Sequence, residues 1–182
     1  MTFLILKTLN SLLKLLNSET APSQLAAGLA FGMIVGLTPL MSLHNLVFFL
    51  IVCLFRVNFS MFFLSLGIFK ILAYLFDPFF DWFGYFLLVD LKGLREFWIQ
   101  IQTGAIWPFF KFYNTVVLGS LASSLLLWIP IFLTGIILVS VYRKKYRQQI
   151  ANSKFMKALK ATPLYGFYQK FESAREKLSV IK

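Results

Sequence analysis

Residues 22–55 read PSQLAAGLAFGMIVGLTPLMSLHNLVFFLIVCLF, 34 residues without a formal charge. As one straight helix they would run about 51 Å, against a hydrocarbon core of about 30 Å. A segment so long and so apolar must tilt strongly, fold back or leave the core. Thr38-Pro39 says where it bends. Proline lacks an amide donor and disfavours helix at the residue before it, and Gly36 suits a helix C-terminus. The pattern predicts two half-helices, about 24–37 and 41–55, meeting at Gly36-Leu37-Thr38-Pro39. Each is short for a full crossing, so the expected geometry is a re-entrant hairpin. Broken backbone at membrane depth is tolerated only against protein or water, which makes the break a candidate site.

Gly28, Gly32 and Gly36 line one face of the first half-helix. Small residues at that spacing let a second helix approach closely. The competing reading is a backbone surface left open to a ligand.

The rest of the chain suits the same solvent. Hydrophobic residues make up 59%, charged residues 14%, and there are 22 phenylalanines; a soluble domain carries about 25% charged residues. The expected fold class is an all-α integral membrane protein, with transmembrane helices, short broken or re-entrant helices, an N-terminal interfacial helix and a basic cytoplasmic tail. Its expected parts are 1–20, 21–142 and 143–182. In the first, Lys7, Asn10, Ser11, Lys14, Asn17 and Ser18 oppose Ile5, Leu9, Leu12, Leu13 and Leu16, the pattern of a helix lying in the headgroup zone.

Arg56 and Asn58 form a short polar loop after the hairpin. Phe59–Phe76 is the next apolar segment, and Asp77-Pro78 is expected to start a turn. The segment carries Lys70, and an intramembrane lysine costs about 2.5–3.5 kcal/mol on insertion scales and marks a functional candidate; snorkelling to the interface is the alternative. The stretch 79–110 is aromatic and interrupted by charge, so it reads as interfacial or as a second short hairpin. Phe112–Tyr142 is 31 uncharged residues ending at Arg143-Lys144-Lys145, a transmembrane helix that Pro130 should kink. The net charge of +11 is concentrated beyond it: Arg143–Lys182 holds eleven Lys or Arg against two Glu. By the positive-inside rule this end is cytoplasmic and Lys111 lies on the outer side. Contact with anionic headgroups explains the tail without nucleic acid. Gly28 precedes Pro39 by the eleven residues that separate Gly119 from Pro130, the sort of echo an internal repeat would leave.

Cys53 stands alone, which excludes an intramolecular disulfide and a Cys-rich metal site; no cofactor is expected. Catalysis would have to draw on His44, Asp77 and Asp81, which match no familiar spacing, so no catalytic residue is assigned and the chain is not read as an enzyme.

Pro22, Ala26, Gly28, Ala30, Gly32, Gly36 and Pro39, followed after an apolar run by Arg56 and Asn58, resemble the pattern of a bacterial inner-membrane family, domain of unknown function number two thousand and sixty-two. The chain departs from that pattern at Asp77-Pro78, where the family has Asn-Pro, and at Leu43-His44-Asn45, where a glutamine is common. The resemblance covers about Pro22 to Tyr142. It implies a bacterial inner membrane and, through relatives fused to glycosyltransferases that use polyprenyl phosphates or associated with large envelope proteins, a role in lipid handling.

The leading expectation is therefore transport or translocation of an anionic lipid, a polyprenyl phosphate or a phospholipid. The N-terminus of the second half-helix would attract the anion. Arg56 and Lys70 would supply charge, and Thr38, Pro39, His44, Asn45 and Asn58 complete the candidate set. The alternatives are a structural or anchoring subunit, binding another envelope protein or a second copy of itself, and a membrane-embedded enzyme.

Overall fold

The computed structural model describes residues 8, 11–13, 15–103 and 106–146. All regular structure among them is helical, with no strand. The chain divides into two compact units, Ser18–Ser140 and Met1–Asn17 with Val141–Lys182.

The larger unit opens with α1 (Pro22–Leu37), which has Pro22 in its first turn, where a missing amide costs nothing. It stops at Thr38, held extended at φ −85° and ψ 153° by the proline that follows. After the break Thr38–Ser42 comes α2 (Leu43–Leu54). Thus the segment of 34 residues is two short helices, as its length and its proline require. Asn58 then caps α3 (Phe59–Tyr85): its Oδ1 accepts from the Met61 amide at 2.8 Å.

At Asp77-Pro78 the sequence expectation fails. No turn starts there; α3 runs through Pro78 and continues as a π-helical turn to Asp90. Packing overrides the local preference. Ala73 and Phe80 are buried with Met33 and Leu37 of α1, and Gly84 lies against the Thr115 backbone. Only an unbroken helix puts residues 73, 80 and 84 on one face. The Phe76–Phe80 ring contact bridges the proline, and Phe79 stacks on Phe83 just beyond it. Of the region 79–110, expected to be interfacial or a hairpin, residues 79–90 continue α3 and its π turn, and the rest holds a 3-10 turn (Lys92–Leu94), α4 (Arg95–Thr103) and a second 3-10 turn (Trp107–Phe110). Trp98 Nε1 donates back to Leu87 O at 3.0 Å, so α4 doubles back on the end of α3.

The last long helix is α5 (Thr115–Val141), continuous through Pro130 and followed by a π turn at Tyr142–Tyr146. Pro39 breaks a helix and Pro130 does not, so the Gly-to-Pro echo in sequence has no counterpart in backbone. The stretches Phe59–Asp90 and Thr115–Lys145 are long and apolar enough to cross a membrane.

Glycines set the relative directions. A Cβ at Gly28 would lie 2.7 Å from Asn58 O, at Gly32 2.7 Å from Ser65 Cβ, and at Gly36 2.8 Å from Leu66 O. The partners advance with the glycines, so α1 and α3 run parallel, backbone against backbone, and α2 is the return limb that makes this possible. Gly119 abuts Phe80 O while Gly84 abuts Thr115 O, so α5 runs antiparallel to α3. Farther along, Trp128 meets Phe31 at 5.4 Å between ring centroids, and Gly135 meets Ala26. The far end of α5 therefore reaches the start of α1. Thr115 Oγ1 donates to the Asp81 carboxylate where α5 begins.

In the smaller unit, residues 11–13 and 15–17 are helical. Asn17 Nδ2 donates to Leu13 O at 2.9 Å, and Arg143 Nε donates to Leu16 O at 2.9 Å. Much of the expected helix over 1–20 and most of the tail 143–182 lie outside the described residues.

Candidate functional site

The break between α1 and α2 gathers the buried polar side chains Thr38, Ser42, His44 and Asn45. Thr38 Oγ1 lies 2.9 Å from Ile34 O and 2.7 Å from Asn45 Oδ1. Asn45 Nδ2 donates to Pro39 O at 2.8 Å. That second bond fixes the amide: its NH2 must face the proline carbonyl, so its oxygen faces Thr38 and takes the hydroxyl proton. Lys70, half-buried on α3, donates from Nζ to Thr38 O at 3.1 Å. Asn45 and Lys70 thus supply the donors that the broken backbone lost, and Lys70 places its cation at the C-terminal end of α1, where the helix dipole favours it.

The α2 side of the break is different. Ser42 occupies the cap position in the extended conformation, φ −135° and ψ 140°, yet its hydroxyl caps no amide. It is 8% exposed, and Oγ bonds to no group among the described residues. His44 is 3% exposed; neither ring nitrogen is hydrogen-bonded. Its ring stacks on Phe112 with centroids 6.4 Å apart, and the Phe110 backbone faces it without closing a bond. The first amides of a helix have no intrahelical acceptor; here the Asn45 amide is met by Ser42 O at 3.1 Å.

Of the residues singled out in sequence, Thr38, Pro39, His44, Asn45 and Lys70 come together at the break. Arg56 and Asn58 do not. They lie beyond the other end of α2, whose twelve residues rise about 18 Å. Asn58 is committed to capping α3, and its amide donates to Gln24 O at 3.2 Å; Arg56 is exposed. A single headgroup cannot use Arg56 and Lys70 at once. Gly28, Gly32 and Gly36 face α3 and are closed to a ligand. Sequence reasoning missed Ser42, although a serine directly before a helix is the usual cap signal.

Comparison with known proteins agrees with this picture in extent. An uncharacterized protein of Treponema pallidum (strain Nichols) is 26% identical over 160 residues, covering 88% of this chain and 98% of the relative. No solved structure matches. The family model described as "Uncharacterized protein conserved in bacteria (DUF2062)" matches residues 7–148, which takes in the hairpin, the break and both long helices, and the chain belongs to that family.

Proposed function

We propose that this is a multi-pass protein of a bacterial inner membrane that handles an anionic lipid, a polyprenyl phosphate or a phospholipid, as a transport or translocation component. Support for the membrane comes from the surface. Ile71, Tyr74, Leu75, Leu126 and Leu138 are each at least 66% exposed. In the most apolar stretches of the two long helices only 22% and 17% of residues are buried, whereas a core helix of a soluble protein is mostly buried. In that setting the basic end of α5 lies on the cytoplasmic side. Ala26, opposite Gly135, and the start of α3 share that side, so the hairpin enters and leaves from the cytoplasm.

The observation that carries the lipid reading is the polar break inside an apolar surround. Lys70 lies eleven residues into α3, about 17 Å from its start, a distance that supports a break inside the hydrocarbon. A headgroup crossing a bilayer has no solvation there, and a cation with donors at that depth lowers the barrier. Purified protein with Lys70→Ala should retain at least tenfold less anionic lipid and lose flux in reconstituted vesicles, while Arg56→Ala keeps binding at the break. Undiminished lipid retention and flux in Lys70→Ala would sink the assignment.

A further inference from the structure

Resting on that reading, we infer that the headgroup is recognised as a phosphate group by the N-terminus of α2, with Ser42 Oγ as its hydroxyl ligand and Lys70 as its counter-charge. The break divides its polar residues into two sets. Thr38 and Asn45 are consumed by each other and by the Pro39 carbonyl; they hold the bend. Lys70 spends one of its three N–H groups on Thr38 O; Asp77 attracts its charge without forming a salt bridge among the described residues, so two donors remain.

On the α2 side the side chains of Ser42 and His44 are not consumed. Ser42 sits in capping geometry without capping, and its buried hydroxyl is orphaned. His44, two residues on, is buried with both nitrogens free of hydrogen bonds. The Leu43 and His44 amides are first donors of a helix, with no intrahelical acceptor. Each such group left unmet in an apolar surround costs stability that a polar ligand would return. A fold that satisfies the α1 side of the bend with side chains and leaves the polar side chains of the α2 side unpartnered is arranged for a polar guest. The donors are amides, a hydroxyl and an ammonium, and the helix dipole adds partial positive charge. That set fits a tetrahedral oxyanion: several acceptor oxygens, negative charge and no required donor. Leu40 and Met41, 50% and 85% exposed, flank the site with apolar surface for the chain of a lipid.

Ser42→Ala separates this role from a structural one. Removing an orphaned buried hydroxyl should leave the unliganded protein as stable as the parent, or more so. In detergent-purified protein the same change should weaken binding of phosphatidic acid by about tenfold. Ser42→Thr, which keeps the hydroxyl, should restore it. Inorganic phosphate added to this assay distinguishes sources: competition at an affinity equal to the lipid's makes free phosphate the ligand and upholds the site, and weak competition makes it the headgroup. If the parent binds phosphatidic acid but Ser42→Ala binds equally well, the Ser42 site is wrong and lipid handling survives. If the parent binds no anionic lipid and no phosphate, both readings fall. A Ser42→Ala protein that is markedly less stable overturns the division of labour at the break.

Discussion

Gly32→Ala adds a single methyl where α1 and α3 are in backbone contact. That methyl would lie 2.7 Å from Ser65 Cβ and 3.0 Å from Ser65 Oγ, and would press on the Phe62 carbonyl oxygen. Carbon atoms rest at about 3.5–4.0 Å, so α3 must retreat by on the order of 1 Å. The retreat pulls on the Ser65 Oγ to Leu29 O bond, 2.7 Å across the same interface, and five residues on, at Lys70, on the bond to Thr38 O. Overpacking costs about 1–3 kcal/mol and loss of a buried hydrogen bond about 1 kcal/mol. Alanine's better helix propensity returns just under 1 kcal/mol. The expected net destabilisation is about 1–3 kcal/mol. Gly67 is the internal control, since it lies on α3 and a Cβ there would meet nothing within 4 Å. Gly67→Ala should be neutral or stabilising by about 0.5–1 kcal/mol. Reversible unfolding in bicelles, followed by tryptophan fluorescence, measures both. Equal stability of the two variants would refute the claim that the glycine stripe exists for close approach to α3.

Three further perturbations test other parts of the structure. Asn45→Leu strips Thr38 and Pro39 of their partner and should cost about 2–4 kcal/mol, with faster amide hydrogen exchange confined at first to the segment around Ser42. Asn58→Ala removes the α3 cap and should cost about 1 kcal/mol, which Asn58→Asp recovers; unfolding in the same bicelles reads both. In a Cys53→Ser background, Arg56→Cys and Lys111→Cys should react with a membrane-impermeant maleimide from opposite sides of oriented vesicles; labelling of both from one side would refute the proposed entry of the hairpin from the cytoplasm.

Composition and short-range chemistry were enough for three features of this chain. The dearth of charge over long runs predicted helices long and apolar enough to cross a membrane, and two are present among the described residues. Thr38-Pro39 set the place of the bend, because a proline constrains its own neighbour whatever surrounds it. The three glycines set a face for close packing. Everything that depends on which groups meet was decided by the packed fold. Pro78 carries the same chemistry as Pro39, yet α3 passes through it, because the apolar contacts of Ala73, Phe80 and Gly84 on a single face outweigh one lost hydrogen bond. Arg56 and Lys70, both plausible anion ligands in sequence, are separated by the length of α2. Thr38 and Asn45 proved to be partners of each other. Ser42 gained its place only when the fold left its hydroxyl buried and unmet. Satisfaction of a polar group depends on neighbours remote in sequence, so it is written in the packing and not in the local pattern.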